Sequence, residues 1–502
     1  MLAHIKLRFV RAQALVLFGL AMDVLGVLGV MGVLATPPAL AQGLPKEVLA
    51  ALLRAQVPPE ALSVWVMDVQ KNPLASTPRL NHLSQEQRNP ASVMKLVTTL
   101  AALELLGPTY TWNTPVYVQG RVRDGVLHGN LWIKGSGDPK LVMERVWLML
   151  RRVQSLGITQ IQGDIVLDRS AFEPSTSDPG EFDGERLRPY NATPEALLIN
   201  YKSLVLTFTP DRAQGLARVH IDPPLANVQV PITVGLEPAR SASAGLLSRA
   251  QAGTECDDYR AALKADFQAG LIRFAGRYPA GCGERVWSVA YPEPASFAAR
   301  SIEGLWRSMG GQLSGSVRDG QVPTDLPATF ESVSPPLAEV IRDINKFSNN
   351  VMAQQLFLTL SLNAAKPASM AGSREAIHSW WRKRIGDDAP LIDNGSGLSR
   401  QERISAQALG RLLHHGYKGA TMPDWLASLP ISGVDGTLKR MGVNPGAAHL
   451  KSGSLRDVVS VAGVVHGHSG TRYALAVIIN HPNANAARSA VDALVTWTAK
   501  DQ

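Results

Sequence analysis

The stretch from Ser92 to Leu106 constrains this chain more than any other. Val93, Met94, Leu96, Val97, Leu100, Ala101, Leu103 and Leu106 fall at helical spacing yet cover almost the whole circumference. A helix with one apolar stripe can lie on a surface, whereas one apolar all round must be enclosed by other elements. Gly107-Pro108 marks its end. The chain has material to enclose it: 45% of its 502 residues are apolar and 18% charged, a mix that disfavours disorder, collagen and coiled coil. Lys95 is then the anomaly. A charged amine has no place on an enclosed helix unless it snorkels out at the end or serves chemistry.

A chain of this length divides into roughly two or three domains of about 150 residues. Ahead of the apolar helix, Lys46 to Ala55 reads as a helix and Leu62 to Val69 as a strand. Beyond Trp112, short β-like runs broken by Gly, Pro and Asp turns extend to about Val289, with one helix near Leu141 to Leu156. Helical periodicity returns from Pro294. His449 to Gly453, Val458 to Val465 and Tyr473 to Asn480 then read as a three-stranded meander, and Ala484 to Lys500 as a closing helix. Mixed, then β-rich, then mixed is the order that an inserted domain produces. The chain therefore reads as α/β (α+β). Residues 42–112 and 290–502 would form one discontinuous domain around a β-rich insertion, 113–289, of one or two subdomains.

Residues 1–41 read as an address. Lys6, Arg8 and Arg11 precede an apolar stretch from about Ala12 to Ala35, and Ala39-Leu40-Ala41 offers the small-x-small pattern of a signal peptidase site. Asp23 and the length of the run leave an uncleaved anchor helix open as the alternative. After cleavage no membrane span is expected. An exported chain with two cysteines, Cys256 and Cys282, is expected to join them in a disulfide. The net charge of +8 arises from 50 basic residues scattered among 42 acidic ones, which fits an exported protein near an anionic surface and not a nucleic-acid binder. His414-His415 and the pair His466 and His468 lack the neighbouring ligands of a metal site, so neither metal nor cofactor is expected.

Three short segments carry candidate chemistry. In Ser92-Val93-Met94-Lys95 a hydroxyl and an amine share one helix face. Asn89-Pro90 places Ser92 in the first turn, where unpaired backbone N–H groups favour developing negative charge. A hydroxyl needs a base before it attacks, and a desolvated lysine can be that base. In Ser348-Asn349-Asn350, between two helices, Ser348 and Asn350 can face one pocket, one to pass a proton and one to bind a carbonyl. The same residues are also good helix caps. In Lys451-Ser452-Gly453-Ser454, alternation puts Lys451 and Gly453 on one face of a strand and Ser452 and Ser454 on the other. Gly453 admits a close neighbour. A free strand edge there can pair with an extended peptide, its N–H completing an oxyanion hole with that of Ser92. The plainer reading of Lys451 is a charge guarding a sheet edge.

Ser-x-x-Lys, Ser-x-Asn and Lys-Ser/Thr-Gly, in this order on helix, loop and strand, resemble the signature of penicillin-binding proteins and serine β-lactamases. The long interval from Ser92 to Ser348 is similar to that of the low-molecular-mass class C penicillin-binding proteins, the D-alanyl-D-alanine carboxypeptidase/endopeptidases of peptidase family S13. So are GSGDPKL (135–141), GDIVLDRSAF (163–172), DNGSGLSR (393–400) and SGVDGTLKR (432–440). The resemblance implies the penicillin-binding-protein/serine β-lactamase-like transpeptidase fold with a large β-rich inserted domain. It implies Ser92 as the acylated nucleophile, Lys95 as its base, Ser348 as proton relay and Asn350 as ligand of the substrate amide. Lys451 with Ser452, beside Gly453, would bind the terminal carboxylate, and the N–H groups of Ser92 and Ser454 the oxyanion. Asp183 would meet the free amine of a stem peptide, and Arg400 and Arg456 would lie on the pocket wall, although each can equally be a solvated surface charge.

The expected function is a periplasmic serine-type carboxypeptidase/endopeptidase that cleaves the terminal D-Ala-D-Ala bond of peptidoglycan stem peptides through an acyl-enzyme and is trapped by β-lactams. One alternative is a serine β-lactamase or esterase of the same superfamily, for which Glu195 and Asn200 have the wrong spacing and place. The other is a catalytically idle wall-binding scaffold, although the chain keeps every motif residue.

Overall fold

The computed structural model describes residues 43–237, 256, 258–363 and 366–501, and the expected signal peptide, 1–41, lies outside the described residues. Val458–His466 and Arg472–Asn480 are buried at nearly every position, the pattern of strands covered on both faces. They belong to an antiparallel five-stranded sheet in the order Ala448–Leu455, Val458–His466, Arg472–Asn480, Leu62–Asp68, Leu80–His82. Alternation sorts the side chains. Val64, Val66, Val461, Leu475, Val477 and Ile479 pack against the flanking helices Lys46–Arg54 and Arg488–Ala499. Trp65, Met67, Ala462, Ala474, Ala476 and Ile478 face the other way, where the small alanines let helices lie close.

The all-round apolar segment fills that second side. Every residue from Lys95 to Leu103 is buried, packed with the helices Leu337–Lys346, Asn350–Thr359 and Ala406–Lys418 in one core. Each large apolar side chain so enclosed contributes about 1.5–3 kcal/mol. The α-helix begins later than its pattern implies, at Lys95, because Ala91–Met94 form a 3₁₀ turn. In that tighter turn positions i and i+3 eclipse, which lines Ser92 up with Lys95 more directly than an α-turn does.

Among the described residues the central block holds two larger sheets and a two-stranded one, Ala265–Gln268 with Leu271–Phe274. The first pairs Asn113–Arg123 with Val126–Lys134 and Phe330–Val333, and Ile165–Asp168 with Val317–Asp319. Pairing therefore does not stop at the expected boundary of 289. The helix Pro294–Ser308 also lies in this sheet's core, through Phe297, Ile302 and Trp306. Helical periodicity after 290 suggests a return to the outer domain, but a helix's periodicity does not say which sheet it covers. The second sheet runs Tyr278–Pro279, Thr233–Glu237, Leu216–Asp222, Ser203–Asp211, Arg285–Ala290 over a separate core. The disulfide Cys256–Cys282 ties a flank of it. Among the described residues no helix is long and apolar enough to cross a membrane.

Candidate active site

The turn that carries Ser92 is pinned before it is strained. Asn89 Oδ1 accepts from the Ala91 N–H at 2.8 Å and its Nδ2 donates to the Ser399 carbonyl at 2.8 Å. Ala91 then takes φ 47° and Ser348 φ 56°, left-handed backbone that costs a non-glycine residue about 1–2 kcal/mol. Such strain persists only where surrounding structure fixes it, and here it falls beside the nucleophile candidate and on the Ser-x-Asn motif.

Lys95 is fully buried. Its Nζ donates to Ser92 Oγ at 2.9 Å, to Asn350 Oδ1 at 2.7 Å and to the Ser396 carbonyl. Burial, and then the charge of Lys451, hold its pKa well below the ordinary lysine value, while Glu402 works in the opposite sense. A neutral Lys95 can accept the Ser92 proton along the same 2.9 Å line. The second motif divides its labour. Asn349 caps the helix Asn350–Thr359 by accepting from Met352 N, which frees Ser348 and Asn350 to face the lysines.

Lys451 is no edge guard, because it too is fully buried. Its Nζ donates to Ser348 Oγ at 2.9 Å and to the Ser452 carbonyl at 2.7 Å. Burial pushes its pKa down to about 7. Ser452 Oγ shares a 2.7 Å hydrogen bond with Thr437 Oγ1, and Ser454 Oγ accepts from Arg488 at 2.8 Å. Ser92, Ser348, Ser452, Ser454 and Thr437 line one cleft of about 460 Å³. Gly453 closes the strand onto the turn that carries Ser92: a Cβ there would stand 2.5 Å from the Pro90 carbonyl oxygen and 3.1 Å from Ser92 N. Gly453→Ala is therefore expected to push Ser92 away from the strand edge and slow acylation by about a hundredfold. Stopped-flow labelling with a fluorescent penicillin measures this, and an unchanged rate would show that the close approach is dispensable.

The sequence profile of the D-Ala-D-Ala carboxypeptidase 3 (S13) family matches residues 47–501. The chain belongs to this family. It is 26% identical over 406 residues to the D-alanyl-D-alanine carboxypeptidase DacB of Haemophilus influenzae, covering 78% of this chain and 80% of that one. It is 27% identical over 438 residues to the D-alanyl-D-alanine carboxypeptidase of Actinomadura, covering 83% and 77%. The crystal structure of penicillin binding protein 4 (dacB) from Haemophilus influenzae superposes with a TM-score of 0.69 at 22% identity, over 89% of this chain and 99% of that one. The fold is thus shared with a penicillin-binding protein.

The outlying site candidates of this S13 chain stand apart from the lysine pair. Asp183 is engaged by its own loop, accepting from Tyr190 Oη at 2.8 Å and Asn191 Nδ2 at 2.7 Å. Some burial opposes its charge, but these hydrogen bonds and one from Glu185 N outweigh it and hold the pKa below the usual carboxylate value. The loop nonetheless reaches the site, since Asn350 Nδ2 donates to the Tyr190 carbonyl at 3.4 Å. Arg400 lines a second cleft with Phe182 and Asp393, its guanidinium 4.7 Å from the Phe182 ring centre and 2.9 Å from Asp457. Arg456 is exposed at the turn between Ala448–Leu455 and Val458–His466, as the surface-charge reading of it allows. Three residues of the site do not stand out in the sequence: Ser396, Thr437 and Glu402. The first two lie in the family-like runs 393–400 and 432–440, so a signal for them exists. Glu402 has none.

Proposed function

We propose that this S13 chain is a periplasmic serine D-Ala-D-Ala carboxypeptidase/endopeptidase, with residues 1–41 as its signal peptide, acting on peptidoglycan stem peptides and trapped by β-lactams. The observation that carries the reading is the 2.9 Å contact between Lys95 Nζ and Ser92 Oγ inside a buried, doubly lysine-lined site. Neutral Lys95 takes the hydroxyl proton as Ser92 Oγ bonds to the carbonyl carbon of the penultimate D-Ala. The oxyanion rests between the N–H groups of Ser92 and Ser454. The C–N bond then breaks. The leaving nitrogen takes a proton from the Ser348 hydroxyl, which Lys451 resupplies along its 2.9 Å hydrogen bond. Water attacks the resulting ester: its hydroxyl completes the shortened peptide acid and its proton returns to Ser92, while Lys95 gives up to solvent the proton it took and Lys451 regains one, so both amines end as they began. Lys451 and Ser452, with Thr437 beside it, receive the terminal carboxylate. That anion favours the ammonium form of Lys451, so binding readies the proton donor.

Glu195, the residue a β-lactamase reading would need for deacylation, is paired to Arg169 and Lys202, each at 3.0 Å. This favours the carboxypeptidase. We read residues 42–112 and the chain beyond Val333 as the catalytic unit and the block between as the insertion. The test is direct. Penicillin-treated protein is expected to gain one adduct mass on the peptide containing Ser92, and Ser92→Ala none. An adduct that persists in the variant would remove Ser92 from the role.

A further inference from the structure

Glu402 is fully buried. One of its oxygens, Oε1, accepts the backbone N–H groups of Asp393 at 3.2 Å, Asn394 at 3.2 Å and Gly395 at 3.0 Å. No group among the described residues donates to the other oxygen, Oε2, which is buried as well. Holding three N–H groups needs only an acceptor. An amide would serve, without the desolvation cost of a buried carboxylate. Loop anchoring alone therefore does not explain an acid at this position.

The loop's next residue supplies the explanation. Asn394 Oδ1 accepts from Ser396 N at 3.0 Å and Ser396 Oγ at 2.7 Å, and the Ser396 carbonyl accepts from Lys95 Nζ. Thr98 Oγ1, on the same helix as Lys95, donates to the Gly395 carbonyl at 2.7 Å. A short rigid chain of hydrogen bonds thus runs from Glu402 to the amine. The charged groups facing this chain are few. Asp393 adjoins Glu402 and is itself paired to Arg374, from the helix Met370–Arg384, at 3.0 Å. Lys451, from the strand edge, faces Lys95 and disfavours its ammonium form, whereas an ionised Glu402 favours it. Burial raises the Glu402 pKa to about 7 against the pull of its three N–H donors, so its charge changes near neutrality.

We propose that Glu402 is a positioning residue of the acylation step: its carboxyl group fixes the 393–396 loop so that the Ser396 carbonyl holds Lys95 on Ser92, and its charge sets the pH at which Lys95 becomes free to accept the proton. The proposal rests on the reading of Ser92 and Lys95 as nucleophile and base. It is tested by the second-order rate of acylation with a fluorescent penicillin, followed across pH for wild type, Glu402→Gln and Glu402→Ala. Glu402→Gln keeps the acceptor and removes the charge. Its plateau rate is expected to stay within about threefold of wild type, while the acid limb moves to lower pH by about one unit. Glu402→Ala abandons the loop, and its plateau is expected to fall by about a hundredfold. A Glu402→Gln limb that coincides with wild type would overturn the proposal, as would a Glu402→Ala plateau equal to wild type. The glutamine variant is decisive even where the alanine variant does not fold. A wild-type protein that takes no label at all would instead sink the assignment of Ser92 and Lys95.

Discussion

Replacing Lys95 by methionine is expected to slow acylation of Ser92 by about a thousandfold to ten-thousandfold, and replacing it by arginine is expected to do no better. Among the described residues Ser92 Oγ has one basic nitrogen in hydrogen-bond range, Lys95 Nζ at 2.9 Å. The other buried amine, Lys451, is occupied with Ser348 and the Ser452 carbonyl. Without a base the hydroxyl keeps its proton, and the strained turn merely presents a poor nucleophile. Arginine separates two explanations that methionine leaves together. It preserves positive charge beside Asn350 Oδ1 but cannot be deprotonated, so it cannot act as base. Stopped-flow labelling gives the rates, and thermal unfolding of each variant shows that the fold survives. An arginine variant within tenfold of wild type would mean that Lys95 acts by charge alone.

How far the residues announce this site depends on the range of each interaction. The enclosed helix is legible because its pattern is local: apolar positions all round it, then Gly107, and the structure buries Lys95 to Leu103. The strands Val458–His466 and Arg472–Asn480 are legible for the same reason. The 3₁₀ turn under Ser92 is not, since it depends on Asn89 holding Ser399 and Ala91, a contact that closes across 310 residues. Lys95 meets Asn350 across 255 positions and Lys451 meets Ser348 across 103, distances at which periodicity says nothing. Only the family's motif order joins those pieces in advance. Where the motif order is silent, nothing in the sequence marks the residue: Glu402 lies outside all three motifs and is fully buried. The late return of the chain at Phe330–Val333 is hidden likewise, because its partner strand, Asn113–Arg123, lies some two hundred residues earlier.

Stability that climbs with pH above neutrality is the other large effect expected. Lys451 has a pKa of about 7 in the folded chain, lowered by burial, against an ordinary value of 10.5. Between those limits the unfolded chain holds a proton that the folded chain does not. Unfolding then takes up a proton, so stability rises with pH through the window and is lost as pH falls toward 7. At about 1.4 kcal/mol per unit, the whole window from about 7 to 10.5 amounts to on the order of 5 kcal/mol. Lys95, lowered in the same direction, adds to the slope. Glu402 opposes it, but only between 4.5 and about 7, below this range. Lys451→Met removes one titrating amine and leaves every exposed group in place. Its stability is therefore expected to rise less steeply than that of wild type over the same pH range, whatever constant cost the lost hydrogen bonds to Ser348 and Ser452 impose. Urea unfolding of both proteins at several pH values gives the two slopes. Parallel curves would mean that Lys451 stays protonated in its buried site, and the proton relay through Ser348 would then start from an amine that is charged before any substrate carboxylate arrives.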